Sequence, residues 1–156
     1  MAKRRRNRRS AMLQICVDPE ARDLPVPRVH HKGDVGFDLF VARDTIIPPG
    51  THLPPTDIPT GISIKVPRKT WATIVSRSSA HLLYPTLRLC SAPIDEGYTG
   101  PLAVRVQNTG KKAVVVKRGM RLAQLVIFPA VVPKVIVVRK LPKTERGSAK
   151  YGSTGT

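Results

Sequence analysis

The stretch Gly61-Ile62-Ser63-Ile64-Lys65-Val66 decides the fold class, because apolar and polar residues alternate along it. Strict alternation is the pattern of a half-buried β-strand. Residues 70–75 repeat the pattern, with Trp71 among them. These two segments predict two half-buried strands, each with one face in the core.

Other short segments rich in β-forming residues lie on both sides of this pair. They are residues 12–17, 36–42, 46–50, 102–108, 113–116 and 122–132, and residues 134–140 carry four more β-formers. Because 15 prolines interrupt the chain, only residues 78–84 offer a helical turn or two. The sequence therefore predicts an all-β barrel or sandwich over residues 11–141, with at most one short helix, between tails at 1–10 and 142–156.

Length and composition narrow the class of protein. The 156 residues suffice for one domain with a real core. Cys16 and Cys90 form neither a disulfide framework nor a metal-ligand motif, so we expect buried free thiols. No apolar run approaches the roughly 20 residues of a membrane span. These features predict a soluble intracellular, cytoplasmic protein.

The N-terminal tail is strongly basic. The net charge is +17, and the run Lys3-Arg4-Arg5-Arg6-Asn7-Arg8-Arg9 contributes six of the positive charges. Such a run predicts a disordered tail that imports the protein into a nucleus, contacts nucleic acid or another polyanion, or only adds solubility. We expect polyanion contact, non-specific and salt-sensitive, because dense like charges repel one another without a partner.

The stretch Ala92-Pro93-Ile94-Asp95-Glu96-Gly97-Tyr98-Thr99-Gly100 predicts a tight hairpin. Pro93 fixes one φ angle, and Gly97 and Gly100 permit the left-handed backbone of a sharp reversal. Such a hairpin presents Asp95 and Tyr98 on its rim. The alternative is a surface turn that Asp95 caps, with Tyr98 packed on the core.

Four further segments accompany the hairpin in a fixed order. They are Val35-Gly36-Phe37-Asp38-Leu39, Ser76-Arg77-Ser78-Ser79-Ala80, Gly119-Met120-Arg121-Leu122-Ala123-Gln124-Leu125 and Arg146-Gly147-Ser148-Ala149-Lys150-Tyr151-Gly152-Ser153-Thr154-Gly155. From residue 33 onward the chain resembles the trimeric dUTPases (dUTP nucleotidohydrolases). The resemblance implies a distorted jelly roll, Mg²⁺-dependent hydrolysis of dUTP to dUMP and pyrophosphate, and a homotrimer whose active sites are shared because a tail crosses to another subunit.

The resemblance also assigns roles to the hairpin. Asp95 is implied to be the catalytic base, which positions the attacking water on the α-phosphorus. Tyr98 is implied to pack on the deoxyribose and to leave no room for a 2′-hydroxyl. Pro93, Ile94 and Gly97 are the remaining hairpin residues that we expect to contact the substrate.

Two segments offer donors for phosphate. Arg77, Ser78 and Ser79 combine a guanidinium with hydroxyls and backbone N–H groups at the start of a helical turn, although a simple N-cap is the alternative. The C-terminal segment has the composition of a phosphate cradle, although a disordered tail has the same composition. There the resemblance implies that Arg146 meets the terminal phosphate and that the Tyr151 ring lies over the uracil. Gly152, Ser153 and Thr154 complete this set.

Asp38 and Gln124 are implied to act on Mg²⁺ indirectly, through its waters or the substrate phosphates that hold it. The alternatives are a turn residue for Asp38 and a satisfied polar group in a buried strand for Gln124. Arg121 is expected to brace the same region.

Two features depart from the family pattern. Ser79 replaces a glycine, and Cys90-Ser91-Ala92-Pro93 stands where glycines usually approach the base, so Pro93 offers no N–H there. A dCTP deaminase-like enzyme is the nearest alternative function, but it needs a glutamate in the following strand, where Val104-Arg105-Val106-Gln107 has no acid. A regulatory or binding protein on the same fold is the other alternative.

Overall fold

The computed structural model describes residues 11–50 and 54–144. Within them the chain forms nine β-strands, one short α-helix and one 3₁₀ turn. In chain order they are β1 Gln14–Val17, the 3₁₀ turn Pro19–Ala21, β2 Gly36–Phe40, β3 Thr45–Ile47, β4 Thr56–Lys65, β5 Thr70–Ser76, α1 Ala80–Leu83, β6 Leu87–Leu89, β7 Pro101–Asn108, β8 Val114–Val116 and β9 Arg121–Pro129. No helix in these ranges is long and apolar enough to cross a membrane.

The strands form three antiparallel sheets. One has the order β1-β4-β7-β6, the second has the order β2-β9-β5, and β3 pairs with β8 alone. All three are open in the described ranges, so no closed barrel forms. The predicted all-β class with one short helix is confirmed, as is the helical turn within residues 78–84.

The alternation of buried and exposed side chains along β7 shows which face of this strand packs on the core. Leu102, Val104 and Val106 are buried in the core, whereas Arg105 on the opposite face is exposed. Because side chains of a strand alternate between faces, Ala103 shares the outer face with Arg105. The outer face of β7 is therefore free to form one wall of a site.

Strand β4 begins earlier than the alternation from residue 61 predicts. It starts at Thr56 and passes through Pro59, after which its pairing with β7 shifts register. Gly61 lies in this irregular segment with a φ of 67°, and a Cβ there would lie 2.3 Å from that of Ala21. Only glycine combines this backbone with this approach.

Two expectations from the sequence are wrong. Strand β9 ends at Pro129, and residues 130–144 form no strand although they carry β-formers. Their apolar side chains are exposed, with Val137 at 98%. Neither cysteine is a buried thiol, because Cys16 is exposed and Cys90 is only half-buried.

Candidate functional site

The carboxylate-bearing segment 90–98 is fixed at its start and its middle. The Cys90 N–H donates to the Arg105 carbonyl of β7 at 2.8 Å. Further along, Ile94 and Ala72 of β5 exchange two backbone hydrogen bonds of 2.7 and 2.9 Å. The segment therefore crosses from the four-stranded sheet to the three-stranded sheet, and both sheets restrain it.

A turn at residues 95–98 presents the carboxylate of Asp95. The Tyr98 N–H donates to the Asp95 carbonyl at 3.0 Å and closes the turn. The Glu96 carboxylate accepts a hydrogen bond of 2.7 Å from the Lys69 N–H in the β4–β5 turn. The Asp95 side chain itself is exposed. The chain thus holds the backbone of Asp95 firmly and leaves its carboxylate accessible.

Tyr98 is oriented by its hydroxyl, which donates to the Pro101 carbonyl at 2.8 Å. A Cβ at Gly100 would lie 2.6 Å from that hydroxyl, so a larger residue there would require the ring to shift. Neither Gly97 nor Gly100 has a positive φ, so the left-handed backbone that they permit is not used. Gly100 therefore matters for the space beside Tyr98.

A cavity of about 640 Å³ opens beside this segment. Its walls come mainly from the segment itself and from β4 and β7, and Arg43, Ile74 of β5 and Leu89 of β6 complete them. The lining residues are Arg43, Asp57, Pro59, Ile74, Leu89, Cys90, Ser91, Ala92, Pro93, Ile94, Asp95, Tyr98, Pro101, Leu102, Ala103 and Arg105. Of the residues predicted from sequence, Pro93, Ile94, Asp95 and Tyr98 are brought together here.

A second group of predicted residues surrounds the buried carboxylate of Asp38. Its Oδ1 lies 3.1 Å from Arg77 Nε and accepts from Gln124 Nε2 at 3.0 Å. Its Oδ2 lies 3.1 Å from Arg121 Nη1 and 3.2 Å from His30 Nε2. Four side chains from three parts of the chain thus converge on one acid, and we call this group the Asp38 cluster.

Electrostatics keep the Asp38 carboxylate ionised. Burial by itself raises the pKa of this carboxyl, but the hydrogen bond from Gln124 and the charges of Arg77 and Arg121 outweigh it. The net effect holds the pKa of Asp38 below its ordinary value. Because Arg77 uses Nε for this contact, both of its terminal nitrogens stay outside the pair.

Gly36 shapes the Asp38 cluster through close approach. A Cβ at Gly36 would lie 2.7 Å from Gln124 Oε1. The strand register pairs Asp38 with Gln124 across β2 and β9. Gly36 therefore leaves the space in which the Gln124 amide turns its nitrogen toward Asp38.

Ser78 and Ser79 follow Arg77 at the start of α1. Ser79 occupies the N-cap position, but its side chain makes no capping hydrogen bond. Its carbonyl instead accepts from the Leu82 and Leu83 N–H groups at 3.2 and 3.3 Å. The simple N-cap interpretation therefore does not account for the Ser79 hydroxyl.

The two groups stay separate within one chain. None of Asp38, Arg77 and Gln124 is among the residues that line the cavity beside Asp95. Arg146, Tyr151, Gly152, Ser153 and Thr154 lie outside the described residues, as does the basic run at residues 3–9. Sequence reasoning did not single out His30, Asp57 or Arg105, because their partners are set by strand register and loop packing that no local pattern encodes.

Within residues 11–50 and 54–144, no three His, Cys, Asp or Glu side chains converge as a metal site. Both oxygens of Asp38 already contact protein nitrogens. These side chains therefore suit a hard cation whose oxygen ligands come mainly from water or substrate. They do not suit a cation that is bound by protein ligands alone.

The open antiparallel sheets place the chain among all-β proteins with a jelly-roll-like fold, and comparison with known proteins narrows the class to one family. The family model described as dUTPase matches residues 22–155. A deoxyuridine 5′-triphosphate nucleotidohydrolase of Caldanaerobacter subterraneus is 40% identical over 150 residues, which cover 94% of this chain and 99% of the relative. The protein of the same name from Gloeothece citriformis is 40% identical, with 83% of this chain and 88% of the relative covered.

Solved structures agree at the level of the fold. A dUTPase variant of Staphylococcus bacteriophage 80alpha, with dUpNHpp, has a TM-score of 0.80 at 24% identity, covering 93% of this chain and 99% of the other. A dUTPase variant from phage phi11 of S. aureus, described with a structural Mg(II) ion, has a TM-score of 0.71 at 22% identity, covering 83% and 97%. The chain belongs to the dUTPase family.

Proposed function

We propose that this protein hydrolyses dUTP to dUMP and pyrophosphate, with Asp95 as the base that positions the attacking water. The observation that carries the proposal is the exposed Asp95 carboxylate on a restrained turn at the edge of a cavity of about 640 Å³. A cavity of this size lies within the ~300–1,000 Å³ typical of small-molecule sites. Family membership and the names of the relatives support dUTP as the substrate.

The proposed step is an in-line displacement at the α-phosphorus. Water oxygen forms the new bond to phosphorus, the bond to the bridging oxygen of the β-phosphate breaks, and pyrophosphate leaves. Asp95 accepts the proton that the water loses. Holding a reactant in line and removing its proton are the two contributions that a fixed carboxylate can make to phosphoryl transfer.

Tyr98 sets sugar selectivity in this proposal. Its hydroxyl is engaged with Pro101, so the ring cannot swing away without losing that hydrogen bond. A ring fixed against the deoxyribose rejects a 2′-hydroxyl by steric overlap. Ile94 and Pro93 line the same cavity, and Gly97 lies in the turn between Asp95 and Tyr98.

The triphosphate is assigned to the Asp38 cluster and to the C-terminal segment. Arg77 and Arg121 are 23% and 43% exposed, and each spends one nitrogen on Asp38. Their remaining guanidinium nitrogens, with Ser78 and Ser79, supply donors for phosphate oxygens. Arg146 would add a further charge, Tyr151 a ring over the uracil, and Gly152, Ser153 and Thr154 hydrogen-bond donors.

Mg²⁺ fits this arrangement as an ion carried by the substrate. When bound, it would neutralise charge on the triphosphate and its leaving group. Asp38 and Gln124 would contact its waters or the phosphates indirectly. Because Asp38 is occupied by protein nitrogens, its main contribution would be to hold Arg77, Arg121 and Gln124 in place.

A homotrimer with shared sites would join the two groups of residues. In one chain the cavity beside Asp95 includes no member of the Asp38 cluster, so a neighbouring subunit would supply those residues. The exposed apolar residues between 131 and 141 support this assembly, because Val131, Val135 and Val137 are 88%, 90% and 98% exposed in a single chain. Polyanion contact and nuclear import through residues 3–9 stay predictions.

One experiment separates the candidate functions: pyrophosphate and ammonia release from dUTP, dTTP, dCTP and UTP with Mg²⁺. We expect rapid pyrophosphate release from dUTP alone. Ammonia release from dCTP would establish a deaminase instead. Binding of dUTP with no turnover would establish a regulatory protein. EDTA is the matched control for the metal requirement.

A further inference from the structure

An ion pair forms part of the cavity wall beside Asp95. Arg105 of β7 donates to both carboxylate oxygens of Asp57 of β4, from Nε at 2.7 Å and from Nη2 at 2.9 Å. The two residues are paired directly across the strands and both line the cavity. The two bonds fix the guanidinium plane and leave Nη1, with its two N–H groups, outside the pair.

The position of the pair within the cavity is specific. At one end, Asp95 and Tyr98 lie on the turn that the proposed function assigns to the water and the sugar. At the other end, the Cys90 N–H to Arg105 carbonyl hydrogen bond joins the segment to β7. In the proposed function, a pyrimidine whose sugar lies at Tyr98 would extend from N1 toward that joined end. Its far edge, with the C4 substituent and N3, would then face Arg105, which lines the cavity.

The chemistry of that edge separates the natural bases. Uracil and thymine carry a carbonyl oxygen at C4, which accepts hydrogen bonds. Cytosine carries an amino group there, which donates. Pro93 has no N–H to offer to the base, and the Ala92 carbonyl already accepts from Thr73 Oγ1 at 3.3 Å. A guanidinium donor at the joined end attracts a 4-oxo base and opposes a 4-amino base.

We propose that Arg105, oriented by Asp57, is a specificity-determining residue that reads the C4 oxygen of the uracil. This inference rests on the proposed function. It assigns base recognition to Arg105 because Cys90-Ser91-Ala92-Pro93 replaces the glycines that usually approach the base in the family. Loss of a hydrogen bond to a charged donor lowers affinity on the order of 10-fold or more.

The test compares kcat and KM for dUTP and dCTP in the full-length protein, in wild type, Arg105→Ala and Asp57→Asn. Arg105→Ala is expected to raise the KM for dUTP on the order of 10-fold, with kcat within about 2-fold, and to reduce the preference for dUTP over dCTP by a similar factor. Asp57→Asn should give a smaller change in the same direction, because the guanidinium remains but is less firmly oriented. Lys117→Ala is the matched control, because it breaks the exposed pair with Asp44 and neither residue lines the cavity.

The outcomes separate this inference from the proposed function. If wild type does not hydrolyse dUTP, the proposed function fails. If wild type hydrolyses dUTP and Arg105→Ala keeps the full preference over dCTP, only the role of Arg105 is overturned. A loss of thermal stability without a change in selectivity would show that the pair only joins β4 to β7. Calorimetric titration of the inactive Asp95→Asn background with dUTP and dCTP gives the same comparison without turnover.

Discussion

Asp38 lies opposite Gln124 across β2 and β9, and its carboxylate accepts a hydrogen bond of 3.0 Å from the Gln124 amide nitrogen. The same buried carboxylate contacts Arg77 and Arg121. One acid therefore contacts three side chains to which the sequence assigned different roles: Arg77 to phosphate, Gln124 to Mg²⁺ and Arg121 to bracing the region.

Asp38→Asn should destabilise the protein more than a surface change of the same kind. The amide keeps the shape but leaves two guanidinium groups without their counter-charge. We expect the free energy of unfolding in urea to fall by about 2–4 kcal/mol and the KM for dUTP to rise. Asp44→Asn, in an exposed pair with Lys117, should cost less than about 1 kcal/mol. Equal losses in the two variants would contradict the proposed role.

The same carboxylate predicts a pH dependence of stability. The pKa of Asp38 is held below its ordinary value, since the bond from Gln124 and the charges of two arginines outweigh burial. Its stabilisation is therefore complete above the unfolded pKa of about 3.9 and is lost as the pH falls through the folded-state value. Unfolding measured in EDTA from about pH 5 to about pH 2 should show a steeper loss in wild type than in Asp38→Asn. Parallel curves would remove Asp38 as the cause.

Asp95→Asn should separate binding from chemistry. The amide has nearly the same size but cannot accept the proton of the attacking water. We expect kcat for dUTP to fall by about 10²–10⁴ while calorimetry shows dUTP binding within a few-fold of wild type. Near-normal turnover would exclude Asp95 as the base.

Gly100→Ala should disturb sugar selectivity through Tyr98. The added Cβ would lie 2.6 Å from the Tyr98 hydroxyl, so the ring must shift. We expect the preference for dUTP over UTP to fall by roughly 10-fold. At Gly97 a Cβ meets nothing within 4 Å, so Gly97→Ala should change the free energy of unfolding by less than about 0.5 kcal/mol. Unchanged selectivity in Gly100→Ala would show that the ring position does not control it.

Subunit mixing tests whether sites are shared. If Asp95 and Arg77 of one site come from different chains, an Asp95→Asn subunit and an Arg77→Ala subunit complement each other. After unfolding and refolding in equal amounts, roughly a quarter of the sites should recover activity. Mixing two preparations of the same variant is the control. No recovery, with oligomers confirmed by light scattering, would place each complete site within one chain.

Strand positions were largely predictable from sequence, because alternation reports which face of a strand is buried. Strand β5 shows this, since the prediction of 70–75 differs by one residue from Thr70–Ser76. The start of β4 was not predictable, because Pro59 argues against a strand unless a register shift is known. Residues 130–144 were expected to contribute strand because they are rich in β-forming residues. They form none, since β-forming residues make a strand only where a partner strand exists.

Some residues of the candidate site could likewise be predicted from sequence, and others could not. Asp95 and Tyr98 stood out because prolines and glycines around them predicted a restrained turn. His30 and Arg105 did not, since each meets its partner through the fold: His30 contacts Asp38 of β2 from a loop, and Arg105 contacts Asp57 on the adjacent strand. Nothing in the local sequence predicts either contact.

By itself the sequence determined the all-β class, the order of the five motifs and the turn that carries Asp95, because periodicity and backbone restriction are local properties. Only the tertiary structure decided that Asp38 is a buried acid holding two arginines and that Arg105 faces a cavity. Those contacts depend on strand register and sheet packing, which join residues far apart along the chain and leave no local pattern.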